Sequence, residues 1–465
     1  MEVNQTFIKV RESDPEYTYS AVRGPNTYLL ESIGGSLKKA RYSFIGFNPA
    51  AKLSMKDGSI NLETFDPEFK AEPKGENAFD VLESLISPYP SRGPSLSRFS
   101  GGFVGYMGYD VVRGYVSMGH AVDDLKQPDC EFVLTKNNII FDHKTRETYL
   151  VENHFLGGSE VDVEASLRRL EDISHRIVSH QDAEAEDATE RIEPIANMSR
   201  QEFESAVSDA KDYIREGDAF QIVLSQRLTR KYEGDKFRVY QRLRQINPSP
   251  YMYFLDFGER EVVGSSPETL ARVEGRTVST YPIAGTRKRG KDSEEDDAME
   301  KELLADEKEK AEHLMLIDLG RNDVGKVAEY GSVKVPKFME VERYSHVMHL
   351  SSEVTGTLKE GLTEFNALKS IFPAGTVSGA PKIRAMEIID ELEPTRRGIY
   401  AGAIGYFSFN RSMDTAIAIR TVVFEKDEGY VQVGAGIVAD SKPELEYKET
   451  MNKGKALLKA LEAGK

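Results

Sequence analysis

An acidic segment divides the chain into two parts that differ in predicted secondary structure. Residues 181–190 (QDAEAEDATE) carry no large apolar side chain and precede Pro194, which predicts a linker or a long surface loop. Short strand-like runs dominate before this segment, at 103–106, 131–134, 138–141 and 148–152. Helices and strands mix after it. The sequence therefore predicts an N-terminal region 1–190 and a larger region 191–465.

The C-terminal region carries clear start and stop patterns. Ser199 and Glu202 form a Ser-x-x-Glu capping box, which predicts a helix ending near Gly217. Strands are predicted at 221–228, 251–257 and 277–283, and long helices at 296–323 and 443–461. Residues 102–106 (GFVGY) and 402–406 (GAIGY) are similar, and both are interpreted as glycine-bearing strands.

Each long helix offers two glutamates three residues apart, Glu309 with Glu312 and Glu446 with Glu449. This spacing places both carboxylates of a pair on one helix face. Either pair alone is typical of a solvated face. A divalent ion held only by carboxylates and water would be Mg²⁺.

Composition excludes several classes of protein. No apolar run approaches the roughly 18 residues of a membrane span, and residues 1–10 show no signal-peptide pattern, so we expect a cytoplasmic protein. The single cysteine, Cys130, excludes an intrachain disulfide. The net charge of -16, without a long Lys/Arg cluster, argues against nucleic acid. An anionic small substrate stays compatible, because salt screens distant surface charges over about 8 Å.

Glycine-bearing turns recur at 284–286, 374–382 and 434–436. Glycines let backbone N–H groups approach an anion closely. The Gly and Lys spacing in 375–382 differs from that of a nucleotide phosphate loop, so carboxylate recognition is the preferred interpretation. His349 lies on a strand-like stretch, 345–353, and is interpreted either as a packed histidine or as a proton-transfer group.

Seven ordered blocks make the chain resemble the component I (large) subunits of anthranilate synthase, among the chorismate-utilising enzymes. The blocks are SSPET at 265–269, PIAGT at 282–286, EHLMLIDLGRND at 312–323, RYSHVMHL at 343–350, FPAGTVSGAPK at 372–382, GAIGYF at 402–407 and GAGIVADS at 434–441. The resemblance implies an α+β fold in which two antiparallel sheets pack face to face, flanked by helices in four α/β/β/α layers. It also implies that the N-terminal region wraps around the chorismate-binding region.

Carried over by position, the resemblance assigns roles to individual residues. It implies Glu312 and Glu449 as Mg²⁺ ligands, with Glu309 and Glu446 beside them. The implied chorismate-binding residues are Gly285, Thr286, Tyr400, Arg420, Gly434, Ala435 and Gly436. Among these, Arg420 could bind a carboxylate through two hydrogen bonds. His349 and Glu268 match acid–base positions, and Glu268 is expected to protonate the departing 4-hydroxyl group.

The family divides by the group that attacks carbon 2 of chorismate. Aminodeoxychorismate synthases typically have a covalent lysine where this chain has Ala284, and isochorismate and salicylate synthases have a water-activating lysine where it has Gln221. Because both lysines are replaced, the resemblance implies ammonia as the nucleophile, followed by elimination of pyruvate. The expected product is anthranilate, in the first committed step of tryptophan biosynthesis. The alternatives are an aminodeoxychorismate synthase, an isochorismate synthase and a non-catalytic tryptophan-binding regulator.

Residues 29–32 (LLES) and 250–252 (PYM) resemble the two halves of the family's tryptophan-feedback motif. The implied inhibitor site comprises Glu31, Ser32, Pro250, Tyr251 and Met252, while Lys38, Lys39 and Arg41 compete for the motif's basic position. The sequence carries no Cys–His glutaminase pattern. Glutamine-derived ammonia is therefore expected from a separate glutamine amidotransferase subunit, in a heterotetramer of two large and two small subunits.

Overall fold

Antiparallel strands and helices alternate along the chain. The computed structural model describes residues 1–33, 41–91, 96–157, 160–180, 193–343 and 347–462. Its strands are β1 Glu2–Val10, β2 Thr27–Glu31, β3 Tyr42–Lys56, β4 Ser59–Thr64, β5 Gly102–Met107, β6 Cys130–Asp142, β7 Glu147–Leu156, β8 Ile195–Ala196, β9 Gln221–Lys231, β10 Tyr251–Asp256, β11 Arg260–Ser266, β12 Thr269–Glu274, β13 Thr277–Thr280, β14 Ile283–Lys288, β15 Lys334–Arg343, β16 Val347–Thr357, β17 Gly379–Ala380, β18 Ala403–Ser408, β19 Met413–Ile417, β20 Thr421–Glu425 and β21 Glu428–Ile437. Its α-helices are α1 Pro15–Val22, α2 Ala78–Ile86, α3 Val163–Val178, α4 Arg200–Glu216, α5 Lys236–Ile246, α6 Ser293–Ala305, α7 Glu307–Val327, α8 Glu364–Ile371, α9 Lys382–Leu392 and α10 Pro443–Ala460.

The strands form two antiparallel sheets that share β3 and β6. The first sheet has the order β1-β7-β6-β3-β2-β10-β11-β20-β21-β9, with β8 and β17 on the outer side of β9. The second has the order β4-β3-β6-β5-β18-β19-β12-β13-β16-β15, with β14 beside β13 on β16. The register of β3 against β6 shifts between Pro49 and Ala51, after Asn48 at a φ of 52°. This irregularity lets both strands pass from one sheet to the other.

Buried side chains from both sheets meet between them, among them Tyr28, Tyr253, Tyr106 and Tyr406. A second apolar cluster joins the outer face of the first sheet to α1, α3, α5 and α10. A third joins the second sheet to α2, α7 and α8. The order helix, sheet, sheet, helix confirms the predicted four-layer α+β fold.

The two sequence regions share both sheets. Strand β2 pairs with β10, with Met252 opposite Glu31, and β5 pairs with β18, with Gly105 opposite Gly405. The two similar glycine-bearing segments are therefore neighbouring strands. The predicted linker at 181–190 lies outside the described residues.

One predicted helix was wrong in its extent. The stretch 296–323 was predicted as continuous, but α6 and α7 meet at Asp306, whose side chain accepts hydrogen bonds from the backbone N–H groups of Lys308 and Glu309. Asp favours this N-cap position over a helix interior. The capping box at Ser199 and the left-handed Gly217 confirm the predicted start and end of α4. None of the helices in the described ranges is long and apolar enough to cross a membrane.

Candidate active site

The turn at Ala284 is built by the pairing of β14 with β16. Ala284 lies opposite Leu350 and Thr286 opposite His349, with a register shift between them at Gly285. Gly285 has a φ of 66°, and a Cβ there would lie 3.1 Å from Glu309 Oε2. The bulge therefore requires glycine, and it brings Thr286 and Glu309 to the same small region.

His349 is held by this turn through one ring nitrogen. Nδ1 lies 3.0 Å from the Gly285 carbonyl oxygen and 3.0 Å from Thr286 Oγ1. A carbonyl oxygen only accepts hydrogen bonds, so Nδ1 carries the hydrogen and the lone pair lies on Nε2. Burial lowers the pKa of His349, and the Gly285 hydrogen bond opposes this in part. The ring is neutral near pH 7 and is suited to accept a proton.

The pKa of Glu268 is raised, in contrast to the lowered pKa of His349. Its carboxyl group is buried, and burial raises its pKa to about 8, although a hydrogen bond from Thr376 and the charge of Lys453 lower it. Thr376 Oγ1 donates to Glu268 Oε1 over 3.0 Å. A carboxyl group that stays protonated near pH 7 can act as a general acid.

Two glycines of β21 leave space for neighbouring polar groups. A Cβ at Gly434 would lie 2.6 Å from the Tyr400 hydroxyl oxygen, and one at Gly436 would lie 2.6 Å from Gln221 Nε2. Ala435 lies between them and packs on the opposite face of the strand, in a cluster with α4 and α9. Of these three predicted binding residues, Ala435 can therefore contact a ligand only through its backbone.

Arg420 follows β19 and has a left-handed φ of 52°. Within the described ranges its guanidinium forms no ion pair or side-chain hydrogen bond, whereas most other arginines are paired with carboxylates. Burial lowers its pKa, and the nearby Tyr400 hydroxyl opposes that. An unpaired, half-buried guanidinium is suited to bind a carboxylate of a ligand.

The four predicted metal-site glutamates come from two helices. On α7, Glu312 accepts a 3.1 Å hydrogen bond from Gln221 Nε2, and Glu309 accepts one of 3.3 Å from Arg287 Nη1. On α10, Glu449 pairs with Lys453 over 2.7 Å. Burial raises the pKa of Glu312, the Gln221 hydrogen bond lowers it, and Glu309 and Glu449 raise it further.

Burial likewise raises the pKa of Glu446, Ser441 lowers it, and the charge of Glu449 raises it. These carboxylates repel one another, which a hard divalent cation would relieve. Gln221 Oε1, buried beside Glu312, has no hydrogen-bond partner among the described residues. In the ranges that can be described, no three acidic, His or Cys side chains are already grouped as metal ligands.

Two polar residues of this region were missed from the sequence. Lys453 Nζ donates to the Gly434 carbonyl oxygen over 3.0 Å while pairing with Glu449. Its position four residues after Glu449 on α10 was a sequence signal for this ion pair, because residues at that spacing are neighbours on a helix surface. Thr376 lies inside the glycine-bearing turn 374–382, whose sequence pattern indicates a role for backbone N–H groups and gives no sign of this side chain's hydrogen bond to Glu268.

A separate cavity of about 230 Å³ lies between the two sheets. It is lined by the predicted inhibitor residues Glu31, Ser32, Pro250, Tyr251 and Met252, and by Arg98, Arg272 and Asp414. The pairing of β2 with β10 brings the two halves of the motif together.

Not all of the predicted inhibitor residues direct side chains into this cavity. The Glu31 carboxylate hydrogen-bonds Tyr240 and Arg244 of α5, and Met252 packs on that same outer face. These two residues contribute only their backbone to the cavity. Arg41 forms a 2.6 Å ion pair with Asp142 instead, and the positions of Lys38 and Lys39 are outside the described part of the chain.

Comparison with known proteins agrees with this architecture. The sequence profile described as chorismate binding enzyme matches residues 25–459. The chain belongs to the chorismate-binding enzyme family. Among members of this family, the chain is 47% identical over 446 residues to anthranilate synthase component 1 of Acetivibrio thermocellus, a match covering 94% of this chain and 90% of the relative.

Solved structures of the family are similar as well. Anthranilate synthase component I from Streptococcus pneumoniae superposes with a TM-score of 0.80 at 41% identity, covering 90% of this chain and 92% of that one. The menaquinone-specific isochorismate synthase of Escherichia coli gives a TM-score of 0.75 at 17% identity, covering 99% and 95%. The second similarity concerns the fold alone. The chain is thus a chorismate-binding enzyme similar to anthranilate synthase component 1 proteins over nearly its full length.

Proposed function

We propose that this chain is the large subunit of an anthranilate synthase, which converts chorismate and ammonia to anthranilate and pyruvate. The observation that carries the proposal is the pair Ala284 and Gln221. Neither side chain can form a covalent adduct or deprotonate water, so ammonia itself is the nucleophile. The 43–47% identity to relatives named anthranilate synthase component 1 supports the same reaction.

The proposed chemistry has two steps. Ammonia forms a bond to carbon 2 of chorismate while the 4-hydroxyl leaves as water, protonated by Glu268. The amine then releases its extra proton to water. In the second step, neutral His349 removes the hydrogen on carbon 2, the bond between the ring and the enolpyruvyl oxygen breaks, and the ring becomes aromatic. The departing enolpyruvate takes up a proton at its methylene carbon and becomes pyruvate. The raised pKa of Glu268 and the lowered pKa of His349 support these opposite roles.

Substrate binding is proposed to use the unpaired guanidinium of Arg420 for one carboxylate of chorismate, with Tyr400, Thr286 and the glycines of β21 around the ring. Glu312 and Glu449 would hold Mg²⁺, with Glu309 and Glu446 beside them. When bound, the cation would supply positive charge for the other carboxylate. Gln221 Oε1 is buried and has no hydrogen-bond partner among the described residues. Because buried acceptors are usually paired, this supports binding of a donor such as ammonia beside it.

We also propose that the inter-sheet cavity binds L-tryptophan as a feedback inhibitor. Its polar groups include two arginines and Asp414, which suit the charged amino and carboxylate groups of an amino acid, and its tyrosines suit an aromatic ring. The enzyme then belongs to tryptophan biosynthesis in the cytoplasm. A separate glutamine amidotransferase subunit would supply ammonia, in a heterotetramer of two large and two small subunits.

One assay tests the reaction directly. The purified chain is incubated with chorismate, Mg²⁺ and ammonium, with and without tryptophan, and anthranilate fluorescence and pyruvate are measured. Anthranilate that requires ammonium supports the proposal. Accumulation of 4-amino-4-deoxychorismate indicates an aminodeoxychorismate synthase, product without any amine indicates an isochorismate synthase, and no turnover indicates a binding protein.

A further inference from the structure

Arg397, between α9 and β18, forms an unusually complete set of hydrogen bonds for a buried arginine. Its side chain is buried, and Nε donates to Glu393 Oε2 over 2.9 Å. Nη2 donates to Glu393 Oε1 and to the Val223 carbonyl oxygen, each over 2.6 Å, and Nη1 donates to the Val377 carbonyl oxygen over 2.7 Å. Three chain segments therefore meet at one planar cation.

Each of these segments carries a residue of the candidate active site. Val223 lies on β9, two residues after Gln221, and Val377 follows Thr376, which donates to Glu268. The Arg397 guanidinium also lies 5.7 Å from the ring centroid of Tyr400. It thus lies within cation–π distance of the Tyr400 ring and holds the backbone next to Thr376 and near Gln221.

Glu393 extends the same network toward the glycines of β21. Besides Arg397, it accepts hydrogen bonds from the Ser225 backbone N–H over 2.7 Å and from Ser225 Oγ over 2.9 Å. Ser225 Cβ lies 3.3 Å from where a Cβ at Gly434 would stand. The Glu393 carboxylate and the Arg397 guanidinium therefore each have several hydrogen-bond partners. The pair borders the region around Gly434.

Net stability is a poor explanation for such a pair. Removing two charges from water offsets most of their attraction, so a buried ion pair usually adds little over apolar packing. What a planar, multiply bonded cation provides is geometry, because several acceptors are fixed relative to one another.

We propose that Arg397 is a positioning residue that fixes Tyr400 and Thr376 relative to β9, and so sets how chorismate is bound. The inference rests on the proposed function of this site. Lysine cannot replace it, because one ammonium lacks the planar fork that reaches Glu393, Val377 and Val223 together.

The test compares Arg397→Lys with Arg260→Lys. Arg260 is also buried, and it donates to Glu131 over 2.6 Å and to Glu425 over 3.0 Å, outside the candidate active site. With chorismate, Mg²⁺ and ammonium, we expect kcat/KM of Arg397→Lys to fall at least about tenfold, mainly through a higher KM for chorismate. Arg260→Lys should lose a similar amount of thermal stability while its KM stays close to that of the parent.

A double-mutant cycle with Tyr400→Phe adds a second readout. If Arg397 acts through Tyr400, then Arg397→Lys costs a smaller factor in kcat/KM in the Tyr400→Phe background than in the parent. An unchanged KM in folded Arg397→Lys, an equal factor in both backgrounds, or an equal rise of KM in Arg260→Lys would each overturn the inference. A parent chain that makes no anthranilate would instead overturn the proposed function.

Discussion

The Tyr251 hydroxyl oxygen lies 2.8 Å from Thr269 Oγ1, and Thr269 directly follows Glu268 in the chain. The same hydroxyl donates to Asp414 Oδ1 over 2.7 Å, so Thr269 is the donor toward Tyr251. Thr269 therefore lines the cavity between the sheets and is the chain neighbour of the buried acid of the candidate active site.

Tyr251→Phe removes this hydroxyl and keeps the ring. We expect the tryptophan concentration for half-maximal inhibition to rise about tenfold, because the hydroxyl holds Asp414 and Thr269 on the cavity wall and a hydrogen bond to a charged group contributes about 1.5–3 kcal/mol. Anthranilate formation is measured over a tryptophan series. Tyr213→Phe serves as the control, since the Tyr213 hydroxyl on α4 donates to Glu391 of α9 at the protein surface. The same inhibition curve for Tyr251→Phe and the parent would contradict the inhibitor site.

Ser32→Arg tests the same cavity by filling it. A long cation beside Arg98 and Arg272 occupies volume and adds like charge, so tryptophan should no longer inhibit. Direct binding of tryptophan can be followed by its own fluorescence, because the chain has no tryptophan. Binding by Ser32→Arg as tight as by the parent would place the inhibitor elsewhere.

Glu268→Gln should lower kcat by about 10²- to 10⁴-fold, because an amide cannot donate the proton that the leaving hydroxyl requires. In the parent, the acid must be protonated, so kcat/KM should decline as the pH rises through about 8. The measurement is a pH profile from 6 to about 9.5 for both proteins. If kcat/KM of Glu268→Gln still declines above about pH 8 as it does in the parent, the decline belongs to another group.

Glu449→Gln should raise the Mg²⁺ concentration needed for half-maximal activity by about tenfold or more, because a neutral amide replaces a charged ligand. Glu444→Gln, on the exposed first turn of the same helix, is the matched control. The Mg²⁺ titration of Glu449→Gln should shift to higher concentration, whereas that of Glu444→Gln should match that of the parent. Identical titrations would remove Glu449 from the metal site.

His313 predicts a pH dependence of stability. It is fully buried, its Nε2 lies 2.7 Å from Ser352 Oγ, and burial lowers its pKa from 6.5 to about 4. The unfolded chain binds the proton more tightly, so the free energy of unfolding should decrease as the pH falls from about 6.5 toward 4. Urea denaturation of the parent and of His313→Gln measures this. The variant should show a smaller decrease over that interval.

Local patterns predicted much of the secondary structure. The capping box at Ser199, the strands around residues 103–106 and 131–134, and the helix starting at Pro443 follow from short-range chemistry that the sequence displays. The break at Asp306 was missed because residues 305–313 (ADEKEKAEH) contain no Gly or Pro that would mark a helix end. The single strand predicted at 277–283 is two strands, β13 and β14, which end and begin beside Pro282.

Long-range juxtapositions required the structure. Lys453 and Gly434 meet only because α10 packs on β21, and Arg397 reaches β9 and the turn after α8 through a fold that no local pattern describes. The resemblance supplied positions for Glu268, His349 and Arg420. It could not indicate that Glu31 and Met252 direct their side chains away from the cavity, because side-chain direction depends on strand register.

The pairing of β2 with β10 and of β5 with β18 has a consequence for synthesis of the protein. On the ribosome, the first 180 residues emerge with two sheet edges whose partner strands have not yet been made. Exposed edges of this kind pair readily with other chains. The edge of β5 stays unpaired until β18, which ends at Ser408, has been translated, so a nascent chain stalled before that point keeps this edge exposed.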